Sequence, residues 1–210
     1  SRLEYLLNNY DFKSDTKLIE KANQALELIR KYKISKYNNG LLVGKDYFKN
    51  ASREKVLIID QNKDDLSLQY GLAEKFHINK IVDIAISENP NADIYIKIHP
   101  DVINLKRETE IDLKTINYRC KVISDDINSI SLLENFKKVY TRTSQMGFEA
   151  LIMGCESVVV FGMPFYAGWG LTDDRVSCQR RKRILSLTEV FAASYILYTK
   201  YINPFSKKSS

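Results

Sequence analysis

The chain has 210 residues, 44% of them hydrophobic, and a formal charge of +6. That length supports one full core with room for a small appended subdomain, and no apolar run approaches the ~20 residues that a helix needs to cross a bilayer. The three cysteines, Cys120, Cys155 and Cys178, share no metal-ligand or redox spacing, and an odd, scattered set fits a reducing cytoplasm better than a disulfide framework.

In chain order, Leu18, Ala22, Ala25, Leu26 and Ile29 recur near helical spacing, which predicts a helix over 16–33 with Ser14 or Asp15 as its cap. Residues 35–50, with Asn38-Asn39-Gly40 and Gly44, read as a loop. The pattern then changes. Val56–Ile59 is a short continuous apolar run, as expected of a strand buried on both faces. Ile78, Ile81, Val82 and Ala85 mark a helix that closes at Asn89-Pro90. Further strands are expected at Ile94–Ile98, Lys121–Ile123, Lys138–Thr141 and Ser157–Phe161, with helices around Ser129–Asn135 and Ser144–Met153. A last helix carries Leu187, Val190, Phe191, Leu197 and Tyr198 and ends before Asn203-Pro204. Strands alternating with helices imply an α/β fold, a Rossmann-like, mostly parallel sheet covered on both sides. Residues 1–50 form a helical amino-terminal segment and residues 51–210 the Rossmann-like domain. The first residue is Ser1 rather than Met, so neighbouring segments are expected.

Residues with usable chemistry gather at the carboxyl ends of the expected strands, where open α/β sheets bind ligands. After the first strand come Asp60, Gln61, Asp64, Asp65 and Ser67. Three carboxylates packed together resist joint ionisation, so one could be tuned as a nucleophile or base; the plainer reading is a polar loop in which Asp64 or Asp65 caps the next helix. After the second long strand come Lys97, His99 and Pro100. The proline fixes the turn and orients an imidazole able to donate to a phosphate or a leaving oxygen. His77, in a polar stretch, reads as a surface residue. Thr143 and Ser144 open a helix whose free N–H groups and partial positive charge suit a phosphate, although N-capping alone would also use them. Glu149 suits the helix dipole, or a ribose hydroxyl. The Gly162–Thr172 loop sets Trp169 between Gly168 and Gly170; Phe165, Tyr166 and Trp169 read equally as a stacking wall for a sugar or base and as a plug over the sheet edge. Basic clusters at Arg180-Arg181-Lys182-Arg183 and Lys207-Lys208 fit a solvated surface or, more sharply, an anionic partner such as a membrane face, a phospholipid or a charged sugar. No nucleic-acid-binding motif is present, and no nucleic-acid partner is expected.

Taken in order, Ser35-Lys36-Tyr37-Asn38, Gln61 through Ser67, His99-Pro100-Asp101-Val102, Thr143-Ser144 with Gly147-Phe148-Glu149-Ala150-Leu151, and Pro164 through Thr172 with Asp174-Arg175 resemble the capsule polysaccharide biosynthesis family of Gram-negative bacteria, the KpsC-type Kdo transferases. The resemblance covers most of the chain, and its most specific part is the Pro-Phe-Tyr-Ala-Gly-Trp-Gly string. It implies a two-lobed, GT-B-type glycosyltransferase that moves Kdo, an acidic keto sugar, from CMP-β-Kdo with retention. The acceptor it implies is a lipid-linked Kdo, phosphatidylglycerol-based, at the cytoplasmic face of the inner membrane, where the enzyme sits peripherally. Family members often join two transferase modules, and this chain is similar to one of them, with residues 1–50 a remnant of the acceptor-side lobe. The His-Pro pair and the Ser/Thr pair are similar, more distantly, to bacterial sialyltransferases, which use another CMP-activated acidic sugar.

Carried over position by position, the resemblance implies Asp65 as nucleophile or catalytic carboxylate, and His99, set by Pro100, on the CMP phosphate. Thr143 and Ser144 would cradle that phosphate and Glu149 would hold the ribose. Gln61, Asp64, Ser67, Lys97, Gly162 and Trp169 would line the donor site. No cofactor and no metal are expected, because hydroxyls, N–H groups and the helix dipole can stabilise the departing phosphate. The Kdo carboxylate wants a cation, for which Lys97, Arg142 and Arg175 are candidates. The chain departs from the family at Leu66, where a small residue is commoner, and at Asp60, where one module type has glycine. A non-catalytic CMP-binding or scaffolding module, and a transferase for another nucleotide sugar such as CMP-sialic acid, are the alternatives.

Overall fold

The computed structural model describes residues 1–49, 51–98, 111 and 120–202. Its centre is a six-stranded sheet in the order β3-β2-β1-β4-β5-β6, formed by β1 (Lys55–Ile59), β2 (Asp93–Lys97), β3 (Cys120–Ile123), β4 (Lys138–Thr141), β5 (Ser157–Val160) and β6 (Asp173–Asp174). Every pairing is parallel. The chain winds outward from β1 in one direction, then returns beside β1 with β4 and winds the other way. That reversal leaves a crevice between the carboxyl ends of β1 and β4, the place where doubly wound sheets take their ligands.

Alternation along the strands explains why both faces are covered. Leu57, Ile59, Tyr95, Val139, Val158 and Val160 point into one core layer. Val56, Ile58, Ile94, Ile96, Tyr140 and Val159 point into the other. A strand whose neighbours in sequence face opposite sides, each against apolar partners, must read as an unbroken hydrophobic run. On the second face lies the helix Ile78–Glu88, which buries Ile78, Ile81, Val82 and Ala85 at the expected spacing. His77 precedes that helix at its cap position and is exposed, so it begins the helix rather than sitting within it.

The first face carries most of the helices. Arg2–Asn9 and Thr16–Tyr32 pack with Leu187–Phe191 and the π-helical turn Ala192–Tyr198 that continues it, and Leu7, Phe12, Leu18, Ala22 and Leu26 enter the same core as the strands. The helix from Thr16 starts on Asp15, whose carboxylate accepts from Leu18 N–H at 3.0 Å, and stops at Lys33 in the left-handed conformation. Two elements are absent from the sequence pattern. One is the Arg2–Asn9 helix, capped by the Ser1 hydroxyl, which accepts from Glu4 N–H; the other is β6, two residues long at the sheet edge. The loop expected over 35–50 contains one short 3-10 turn, Lys45–Phe48. Cys155 packs beneath the sheet end, and burial pushes its thiol up to about 11.

No helix among the described residues is long and apolar enough to cross a membrane. The Arg180–Arg183 cluster is not simply a solvated surface. Arg180 pairs with Glu4 at 2.8 Å, and Arg183 donates to the Tyr10 carbonyl at 2.8 Å. These basic side chains fasten the first helix to the carboxyl-terminal part of the fold. Leu26→Ala is expected to cost about 2–5 kcal/mol, as for other large-to-small core changes, within a single cooperative unfolding transition followed by urea denaturation. An early, separate transition for the amino-terminal helices would contradict the shared core.

Candidate active site

The crevice between β1 and β4 is bridged by one side chain. Gln61, buried just past the end of β1, accepts from the Thr143 backbone N–H at 2.8 Å through its carbonyl. Its amide nitrogen donates to Thr143 Oγ1 at 3.0 Å, to Asp65 Oδ2 at 3.1 Å and to Ser67 Oγ at 3.3 Å. The Ser67 and Thr143 hydroxyls lie 2.8 Å apart. Thus Gln61, Asp65, Ser67 and Thr143, separated by up to 82 positions in sequence, form one hydrogen-bonded group across the switch point of the sheet.

Asp65 takes the capping part read from the sequence. It caps the short helix Leu66–Tyr70 by accepting from Ser67 N–H at 2.9 Å, and its carboxylate stays partly open to solvent. Burial pushes its pKa up, but the Ser67 hydroxyl and N–H, the Gln61 amide and the charge of Lys36 outweigh this and hold it below the ordinary carboxylate value. It is therefore an ionised carboxylate at neutral pH. Asp64 is exposed on the same turn and makes no side-chain hydrogen bond among the described residues.

The layer beneath is closely packed. Arg142, 1% exposed, donates to the main-chain carbonyl of Gln61 at 3.1 Å and lies 3.6 Å from the Asp60 carboxylate. Gly71 and Gly162 close in on Thr143 from two sides. A Cβ at Gly71 would sit 2.5 Å from the Thr143 methyl, and one at Gly162 would sit 2.7 Å from it. The backbone there is further tied by Met163 N–H to the Gly71 carbonyl at 2.6 Å. Gly162 thus packs closely behind Thr143, with no room for a side chain.

Beyond Thr143, Ser144 caps the helix Gln145–Ile152, its hydroxyl accepting from Met146 N–H at 3.3 Å. The carboxylate of Glu149, on the same helix, is buried and accepts from Ser35 Oγ at 2.9 Å and from Ser129 Oγ at 2.5 Å. Both oxygens are engaged by protein hydroxyls, so a ribose contact at Glu149 requires a serine to yield. Burial raises its pKa, offset only in part by Ser129, Ser35 and the Lys36 backbone and charge.

Several expected contacts are corrected by this geometry. Trp169 is fully buried, its indole N–H donates to the Phe165 carbonyl at 2.8 Å, and Arg181 stacks on it, so it is a plug with no face for a base or sugar. Gly168 and Gly170 are needed because φ is +79 and +84 there, not because backbone must meet a ligand. Lys97 is buried, and its ammonium donates to the carbonyls of Ile98 and Asp125, both at 2.9 Å. Arg142 is spent on Asp60 and Gln61, while Arg175 pairs with Glu88 at 2.8 Å and Asp173 at 2.9 Å. His99 and Pro100 lie outside the described residues.

A sequence model described as capsule polysaccharide biosynthesis protein matches residues 19–201. The chain belongs to the capsule polysaccharide biosynthesis protein family. It is 41% identical over 213 residues to the capsule polysaccharide modification protein LipA of Neisseria meningitidis serogroup B, covering 97% of this chain and 30% of that protein. It is also 41% identical to the lipopolysaccharide-processing protein LpsZ of Rhizobium meliloti, over 96% of this chain and 46% of LpsZ. The chain therefore spans less than half the length of these relatives. Among solved structures it matches the β-Kdo 2,4 transferase of Thermosulfurimonas dismutans KpsC with a TM-score of 0.91 and 46% identity, over 99% of this chain and 64% of the other. The β-Kdo 2,7 transferase of the same KpsC matches with a TM-score of 0.78 and 28% identity, over 100% and 63%.

Two residues singled out in the sequence for other reasons shape this site through contacts that no local signal specifies. Tyr166, buried in the aromatic loop, donates to the Ser144 carbonyl at 2.6 Å and so fixes the helix cap directly. Arg181 donates to the carbonyls of Pro164 and Ala167 on either side of that tyrosine, at 2.6 and 2.5 Å. The loop signal lay in Pro164 through Gly170, but the arginine that holds it is more than ten residues away.

Glu149 yields a pH prediction. Its folded pKa lies above the unfolded value, so its contribution is complete below about pH 4.3 and is lost as pH rises through the folded value. Thermal melts of wild type and Glu149→Gln should therefore diverge from pH 4 to pH 7, with the glutamine variant gaining relative stability as pH rises. A constant or reversed difference would contradict the burial argument.

Proposed function

We propose that this chain forms the donor-binding side of a GT-B-type glycosyltransferase that moves Kdo from CMP-β-Kdo, with retention, onto a lipid-linked Kdo acceptor during capsule assembly. The observation that carries the reading is the meeting of Asp65, Ser67, Gln61 and Thr143 at the β1/β4 switch point, beside the mouth of the Ser144-capped helix. The match to two β-Kdo transferases supports the sugar.

In this reading the helix mouth takes the phosphate of the donor, using its dipole and the Ser144 cap. Asp65 attacks the anomeric carbon, whose bond to the phosphate oxygen breaks with the electron pair leaving on CMP. The result is a Kdo ester of Asp65. An acceptor hydroxyl then displaces the aspartate, releasing its proton to solvent or to a nearby base, and the two inversions together retain configuration. Gln61 and Ser67 hold the carboxylate ionised and aimed, and the ionised form is the one a nucleophile requires. Glu149 would exchange its Ser35 contact for a ribose hydroxyl. The acceptor is a Kdo-bearing lipid based on phosphatidylglycerol, and the site of action is the cytoplasmic face of the inner membrane, where a further transferase module would complete the linker.

The test is mass spectrometry of the protein mixed with CMP-β-Kdo and no acceptor. A single Kdo adduct on the peptide containing Asp65, absent from Asp65→Asn while both proteins melt alike, is expected. CMP binding without adduct or transfer would favour a non-catalytic module, and an adduct that survives in Asp65→Asn would displace Asp65 from the role.

A further inference from the structure

A buried polar atom with no partner is uncommon, because nothing replaces the water it has lost. Two uncharged oxygens are in that position among the described residues, Thr141 Oγ1 and Asn62 Oδ1. Thr141 is closed inside the sheet, on β4 opposite Val160 of β5 and 1% exposed, where no ligand reaches it. Asn62 lies outside the sheet. The last ladder bond of β1 is donated by Asp60 N–H to the Lys97 carbonyl at 3.0 Å, and Asn62 stands two residues further on, at the carboxyl edge. It is only 7% exposed all the same.

Its neighbours are those of the candidate site. Gln61, one residue before, carries the amide that joins Thr143, Asp65 and Ser67. The Asn62 main-chain carbonyl accepts from Asp65 N–H at 3.1 Å, so Asn62 opens the turn on which the acid is mounted. An asparagine that opens a turn ordinarily gives its side-chain oxygen to a backbone N–H two residues on. Asn62 does not, and no other donor of the described residues reaches Oδ1. A buried acceptor is thus left open one residue from the bridge across the crevice, where a ligand can supply the missing donor. Phosphate and carboxylate oxygens that are ionised carry no proton and cannot do so; a hydroxyl can.

We propose that Asn62 Oδ1 accepts a hydroxyl of the transferred sugar. This rests on the reading of the cleft as a site for a CMP-linked sugar, with Asp65 at the anomeric carbon and the ribose towards Glu149. A closed turn keeps its end residues within about 7 Å of each other, a span that a pyranose ring and its hydroxyls cover. A ring that meets Asp65 therefore brings a hydroxyl to Asn62, while in that reading the nucleotide belongs to the helix mouth capped by Ser144. The unbound protein carries the cost of the open acceptor, and the sugar removes it.

The test sets stability against binding in the Asp65→Asn background, where no sugar ester forms and donor binding reaches equilibrium. Asn62→Leu keeps the shape of the side chain and removes the open oxygen, so without ligand it should melt at or above its parent. In competition titrations it should bind CMP within about twofold of the parent and lose roughly fivefold to tenfold for CMP-β-Kdo, the upper range of a neutral hydrogen bond. Asn62→Ala, which leaves the cleft room, should show the same split between the two ligands. A melt lowered in Asn62→Leu would assign the amide to holding the turn and overturn the proposal. Equal loss for CMP and CMP-β-Kdo would give the oxygen to the nucleotide, and an unchanged affinity for CMP-β-Kdo would leave it without a ligand; either result overturns the proposal as well. If the parent binds CMP but holds CMP-β-Kdo no more tightly, the sugar makes no such contact and the proposal fails alone. If the parent binds neither, the underlying reading fails with it.

Discussion

The Gln61 amide decides how this site is built. Two strands that are adjacent in the sheet but 82 positions apart in sequence diverge at their carboxyl ends, and Gln61 closes the gap by exchanging hydrogen bonds with both the backbone and the side chain of Thr143. An amide suits the task because it accepts on one side and donates on the other. Asp65 and Ser67 then hang on the same amide nitrogen, so the acid is aimed by the contact that joins the strands. Below it, Arg142, buried against Asp60, donates to the main-chain carbonyl of Gln61. Breaking a buried ion pair on one side leaves an uncompensated charge, so this foundation resists change and keeps the amide where it is.

What was legible in the sequence follows from which signals are local. Val56–Ile59 is apolar at every position because both faces are covered, so that strand could be seen without its partners. The chemistry at strand ends was legible for the same reason: an apolar run that stops at Asp60, Gln61, Asp65 and Ser67 leaves polar groups where parallel sheets open. That Gln61 joins them to Thr143 was not legible, since nothing local to either residue specifies the pair. Trp169 went the other way. Glycine on both sides resembled an exposed ligand wall, but those glycines answer to positive φ, and the indole turns inward beneath Arg181. Lys97 misled for a related reason, because a lysine at a strand end is indistinguishable in sequence from one that spends its ammonium on carbonyls.

The arginine-rich stretch shows how tertiary contact can convert a surface pattern into scaffold. Arg181 spans the aromatic loop, which through Tyr166 meets the Ser144 cap, while Arg180 and Arg183 tie in the first helix. Charge that composition alone would leave to solvent or to an anionic partner is thus partly consumed in holding a helix mouth in place.

The account stands on the acid and the helix mouth belonging to one site. Chemical-shift mapping of the isotope-labelled protein during a titration with CMP tests this directly. Coincident shifts at the amides of Gln61, Ser67, Thr143, Ser144 and Met146, saturating at one ligand concentration, are expected. Saturable CMP binding that leaves those amides unmoved, and shifts instead the groove lined by Phe12, Thr16 and Ser186, would contradict it.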